Sequence, residues 1–150
     1  MQDDILNGPL PLGRRPLYAL LVQFPVVCFM GALVTDVVYW RTTSYLWETF
    51  SVWLLAAGCL MAAPAGIVGL AYLVGDRRLR TSSSAWLYAI VSLVATLLSV
   101  TNAFVHSRDG YTAVVPEGLT LSAVVALLMV VAVWLGRSRS YRAFRAEARA

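Results

Sequence analysis

Few side chains in this sequence could do chemistry, and most of them sit where charge and polarity are costly. Asp36 lies near the end of LYALLVQFPVVCFMGALVTDVVYW, Leu17 to Trp40, a run that carries no other charge. A carboxylate inside an apolar, bilayer-length segment has to be paired or hydrated, and such a residue is a functional hypothesis by default. Asn102, His106, Arg108 and Arg41 are its candidate partners at the same depth. Asp36 also stands about one turn from the end of its segment. From there it could reach headgroup water as an interfacial acid with a hydrogen-bonding or salt-bridge partner. Gln23, beside Phe24-Pro25, is expected to act as glue, bonding backbone freed by Pro25 or the polar stripe of the third helix.

His106 is the only histidine. That excludes bis-histidine haem ligation within one chain and a histidine-rich metal site. Next to a loop it reads as a solvated imidazole, with proton exchange as the chemical alternative. Cys28 and Cys59 fall inside apolar runs and read as small buried hydrophobes. A disulfide would require the first two helices to bring the sulfurs together, since its geometry is strict. Glu48 and Glu117 are expected to be solvated. No nucleophile–base arrangement, phosphate-binding loop or metal spacing is evident, and the expected function is not enzymatic.

Two helix faces stand out. Tyr88, Ser92, Thr96, Ser99 and Asn102 recur at helical spacing and form one polar stripe. Hydroxyls placed so commonly bond the carbonyl one turn back or a neighbouring helix. The functional alternative is a lining for a polar ligand or a narrow water-filled path. Gly58, Ala62 and Gly66, with Ala65 and Gly69, recur at intervals of four. Small residues at that spacing let another helix backbone come close, either within the chain or across a dimer face.

The elements that position these residues follow from composition. The chain is 59% hydrophobic and 13% charged, with mean hydropathy +0.71. Soluble domains are richer in charge, so this balance indicates an integral membrane protein. Four apolar spans are expected at about 17–40, 49–74, 86–105 and 119–135. Together they make a membrane domain over 17–136, between a tail at 1–16 and a basic tail at 137–150. Tyr45 and Trp47 are placed ahead of the second span, GDRRLRTSSSA is read as a loop, and Gly136 is read as the end of the fourth span. The four residues Arg41 to Ser44 make a short connection, so the first two helices should be antiparallel neighbours. The opening MQDDILNGPLPLG is acidic and turn-rich, unlike a signal peptide.

Every basic residue is arginine. Arg14, Arg15, Arg77, Arg78, Arg80, Arg137, Arg139, Arg142, Arg145 and Arg149 fall on one side of the threaded chain, and only Arg41 and Arg108 on the other. The positive-inside rule then puts both termini in the cytoplasm. Arginines flanking apolar spans point to orientation and anionic lipid, not to nucleic acid. If helical, the tail after Gly136 places Tyr141, Phe144 and Ala148 on one face and lies along the headgroups.

Several stretches resemble a bacterial family of predicted four-helix membrane proteins, numbered twenty-two thirty-one among domains of unknown function. They are LLVQFPVV, TDVVYW, APAGIVGLAY after Pro64, LYAIVSLVATLLSVTNAF and LTLSAVVALLMVVAVWLG. The resemblance covers Leu17 to about Tyr141. In that family a His-Pro pair often opens the first helix and a histidine often begins the third. Here those positions look like Tyr18-Ala19 and Tyr88. If relatives use the histidines for haem or metal, this chain has lost or replaced that ability.

The expected fold is therefore an all-α integral membrane protein, a four-transmembrane-helix up-and-down bundle. The expected function is a small, non-catalytic inner-membrane accessory subunit or anchor. Its partners would be the lipid bilayer and a second copy or a membrane complex. No cofactor is expected. Two alternatives stand beside it. One is a redox module holding haem or quinone within the bundle. The other is a small channel or carrier using Asp36 and the polar stripe.

Overall fold

The structure is a computed structural model that describes residues 16–108 and 114–147. The tail with Arg14 and Arg15, the Asp109-Gly110 turn and the final residues with Arg149 lie outside the described residues. So do the side chains of Arg139, Tyr141, Arg142, Phe144 and Arg145.

Four long helices form an all-α bundle. They are α1 (Pro16–Thr42), α2 (Tyr45–Gly75), α4 (Ser83–His106) and α5 (Leu119–Glu147); a single turn, α3 (Arg77–Arg80), separates α2 from α4. No strand occurs among the described residues. All four long helices have the length and apolar character to cross a membrane. Each packs on its neighbour in sequence, and α5 returns to α1 to close the ring. Residues from opposite ends of successive helices meet, so the helices run up and down. Asp36 at the end of α1 touches Ser51 at the start of α2, while Tyr18 at the start of α1 stacks edge-on against Tyr72 near the end of α2.

The boundaries differ from the sequence expectation in four places. Helix α2 starts at Tyr45, so Tyr45 and Trp47 belong to its first turn. That is possible because α1 stops abruptly. Thr43 takes a left-handed conformation, φ 51°, and its N–H bonds the Tyr39 carbonyl, so two residues suffice to reverse the chain. Helix α4 starts at Ser83. The arginine loop contains α3, whose first turn is capped by the Asp76 carboxylate accepting from the Arg78 N–H at 2.9 Å. Finally, Gly136 does not end the last helix, which continues to Glu147. Glycine costs only about 1 kcal/mol inside a helix, and Arg, Ser, Tyr and Ala beyond it carry no stop signal.

The core draws on every long helix: Phe29 and Ala32 from α1, Leu55 from α2, Ala95 from α4, Val125 and Met129 from α5. Outside it lies an apolar belt. Trp53, Leu60 and Ile67 on α2 are 70–74% exposed. In water this would be untenable, but lipid tails solvate it at no cost. Cys28 is buried, Cys59 half-buried, and both are free thiols.

The small residues of α2 divide between two directions. Gly58 is buried against α1, where a Cβ would stand 2.5 Å from the Phe29 ring and 3.0 Å from Cys28 Cβ. Ala65 is also buried, and Gly69 packs under Tyr18, whose hydroxyl would be 3.0 Å from an added Cβ. Gly66 faces outward, with nothing within 4 Å of an added Cβ; Ala62 lies between, half-buried. Gly58→Ala should therefore destabilise the bundle by about 1–3 kcal/mol, because Phe29 is enclosed and cannot step aside. Gly66→Ala should be neutral or stabilising by up to about 1 kcal/mol. Thermal unfolding of the two variants in one detergent measures the contrast.

Candidate functional site

Asp36 is fully buried, and all three of the other long helices reach it. Ser51 of α2 donates to its Oδ1 at 2.5 Å, and Ser122 of α5 donates to its Oδ2 at 2.5 Å. The third contact is to α4, where His106 Nε2 lies 2.9 Å from Oδ1. A carboxylate has about four lone-pair sites, and the three contacts occupy most of them. The apolar surroundings make each bond stronger and each omission costlier than in water.

A second ring of contacts fixes these donors. His106 Nδ1 lies 3.0 Å from the backbone carbonyl of Asn102, one turn back on the same helix, which orients the ring. Asn102 Nδ2 donates to Ser122 Oγ at 2.7 Å. Ser122 has one hydroxyl hydrogen, which goes to Asp36, so it can accept from Asn102. Ser51 is likewise a donor to Asp36 and sits 2.6 Å from Thr35 Oγ1, which also approaches the Ala32 carbonyl at 2.9 Å. Asp36, Ser51, Asn102, His106, Ser122 and Thr35 are all buried.

Two buried oxygens nearby lack a hydrogen-bond partner among the described residues: Glu48 Oε2 and Asn102 Oδ1. Glu48 stands in the first turn of α2 and is buried rather than solvated as its position suggested. Glu117 is exposed.

His106 is the largest departure from expectation. As the last residue of α4 it is buried against Asp36, not solvated in a loop. The helix persists to that point, and the ring has two acceptors waiting inside. Of the other suggested partners of Asp36, Asn102 acts through Ser122, while Arg41 and Arg108 are exposed and Arg41 lies over Trp40. Along the stripe of α4, Thr96 donates to the Ser92 carbonyl and Ser99 to the Ala95 carbonyl, both one turn back. Ser99 is buried and Ser92 and Thr96 are half-buried. Gln23 is exposed on the bundle surface and does not turn inward to that stripe.

Ser51, Ser122 and Thr35 were not singled out by sequence reasoning. Ser51 could have been found: Thr43 and Ser44 form the connection, and residues 36 and 51 are equidistant from its centre. In an antiparallel hairpin such mirror positions share a depth.

At the opposite end, Tyr18 and Tyr88 face each other, their hydroxyls 3.4 Å apart. An open cavity of about 600 Å³ lies at that end, lined by Tyr72, Asp76 and Arg77 among others. None of the Asp36 cluster lines it.

A helical bundle with a sealed polar layer fits many membrane proteins, so the comparison with known sequences decides the family. The family model described as Predicted membrane protein (DUF2231) matches residues 14–145, nearly the whole chain. The chain belongs to that family. No curated protein and no solved structure matches it. Within this DUF2231 protein, both nitrogens of the one histidine are engaged, one on Asp36 and one on a backbone carbonyl.

Removing one partner from a buried, hydrogen-bonded carboxylate–imidazole contact leaves the other uncompensated. Asp36→Ala should destabilise the protein by about 3–5 kcal/mol. The Asp36→Leu/His106→Leu double variant should lose less than the sum of its two single variants, because the strandings are relieved together. A double-mutant cycle by thermal unfolding in detergent tests this.

Proposed function

We propose that this DUF2231 protein is a small, non-catalytic subunit or anchor of a bacterial inner (cytoplasmic) membrane. Both termini lie in the cytoplasm, and the protein acts as a homodimer or within a larger membrane complex. One observation carries the reading. Among the described residues, most buried polar side chains are spent on holding helices together: Asp36, the sharpest chemical candidate, is fully buried and held from three helices. The outward Gly66, flanked by the exposed Ile67 and Leu70, supports a helix partner, since a missing side chain among large ones lets a second backbone approach. The described arginines support the orientation. Arg77, Arg78, Arg80 and Arg137 lie at one end of the bundle and Arg41 and Arg108 at the other.

A second reading, a small channel or carrier, is favoured by the two unpartnered buried oxygens of Glu48 and Asn102 beside the cluster. A path for a polar species would need such free acceptors.

Cross-linking in native membranes should capture a dimer or a discrete larger complex. Gly66→Trp should reduce it without unfolding the chain, because space is open there. Exclusively monomeric protein with no co-purifying chain would sink the subunit reading. A reporter fused after Arg149 should be cytoplasmic. For the second reading, proteoliposomes should show an ion flux that Asp36→Asn abolishes; a wild type inert to protons and alkali cations would end it.

A further inference from the structure

We propose that Asp36 and His106 form a proton-binding latch, in which one bound proton holds the end of α4 against the other three helices. The argument is a count of hydrogens. His106 Nδ1 faces the Asn102 carbonyl at 3.0 Å and Nε2 faces Asp36 Oδ1 at 2.9 Å. A backbone carbonyl can only accept, so Nδ1 carries a hydrogen. The carboxylate already accepts from Ser51 and Ser122, one hydroxyl at each oxygen, which is the pattern of an ionised group. One proton therefore lies between Nε2 and Oδ1. With each carboxylate oxygen already accepting a hydroxyl, that proton is assigned to Nε2, which makes the ring an imidazolium and the contact a buried ion pair.

Loss of that proton has a definite structural consequence. The Nδ1 hydrogen stays on the Asn102 carbonyl, so the bare lone pair falls on Nε2, directly against Asp36 Oδ1. Attraction becomes repulsion at the one contact joining α4 to the carboxylate, while the two serine bonds persist. The end of α4 is then the part released. No other described group can substitute. Facing His106 are Asp36 from α1 and, electrostatically, Glu48 from α2; Ser122 of α5 is neutral, and Arg41, Arg108 and Glu117 are exposed. His106 ends its helix and is followed directly by exposed Ser107 and Arg108, so a short opening of the last turn exchanges the proton with one membrane face.

The sign follows. The latch is closed with the proton on and loosened as pH rises through its loss, so bundle stability should fall toward alkaline pH. Because the chain has a single histidine, full-length protein labelled with nitrogen-15 histidine gives one imidazole to follow in detergent micelles. At neutral pH both ring nitrogens should be protonated. As pH rises one proton should leave, and the thermal midpoint should drop over the same interval. In Asp36→Asn the ring should be neutral at pH 7. His106→Gln should show a flat pH profile. A wild-type ring with one bare nitrogen at neutral pH would overturn the proposal, as would a thermal midpoint indifferent to the deprotonation. The spectrum of the wild type decides the matter even if neither variant folds.

Discussion

One carboxylate sets the register of this bundle. In lipid there is no hydrophobic force drawing helices together, since tails solvate leucine as well as leucine does. What remains is close packing and polar contact. Asp36 supplies the second to every long helix at once, through Ser51, His106 and Ser122. Sliding any one helix by a turn, about 5.4 Å, would break its bond and strand a charge in an apolar medium. A buried ion pair is weak evidence for net stability, because desolvation offsets much of the attraction. Its surer effect here is to make one arrangement far better than its near neighbours.

The packing below that layer is adapted to it. Phe29 fills the notch at Gly58, bringing α1 and α2 close enough for Thr35 and Ser51 to meet at 2.6 Å. The abrupt reversal at Thr43 puts the two hydroxyl-bearing turns at one depth. At the far end contact is looser and aromatic, with Tyr18 between Tyr72 and Tyr88. The bundle is thus pinned by polar bonds at one end and by rings at the other.

The fold was legible because the signal for a membrane helix is long and one-dimensional: four apolar runs appear in composition alone, and the short connection at Thr43 fixes their neighbours. The site was only half legible. Asp36 announced itself as a lone charge in an apolar run. Of its partners, His106 stood among the candidates at the same depth, but Ser51 and Ser122 did not, because serine is common in membrane helices and nothing marks a particular one as inward. His106 was misread since a helix end and a loop start look alike in sequence, and only three-dimensional closure buries the last turn. Glu48 was misread for the same reason. The continuation of α5 past Gly136 is compatible with the helical reading of the tail, since glycine costs only about 1 kcal/mol inside a helix.

That last helix has a mechanical meaning. From Arg137 it continues ten residues to Glu147, a rod of about 15 Å projecting past its apolar span. A flexible leash would average away any movement of the bundle. A rigid extension transmits rotation undiminished, so a small turn of α5 about Ser122 would swing the far tip through an arc. Any turn of α5 near Ser122 would therefore be carried, through one continuous helix, to its far end.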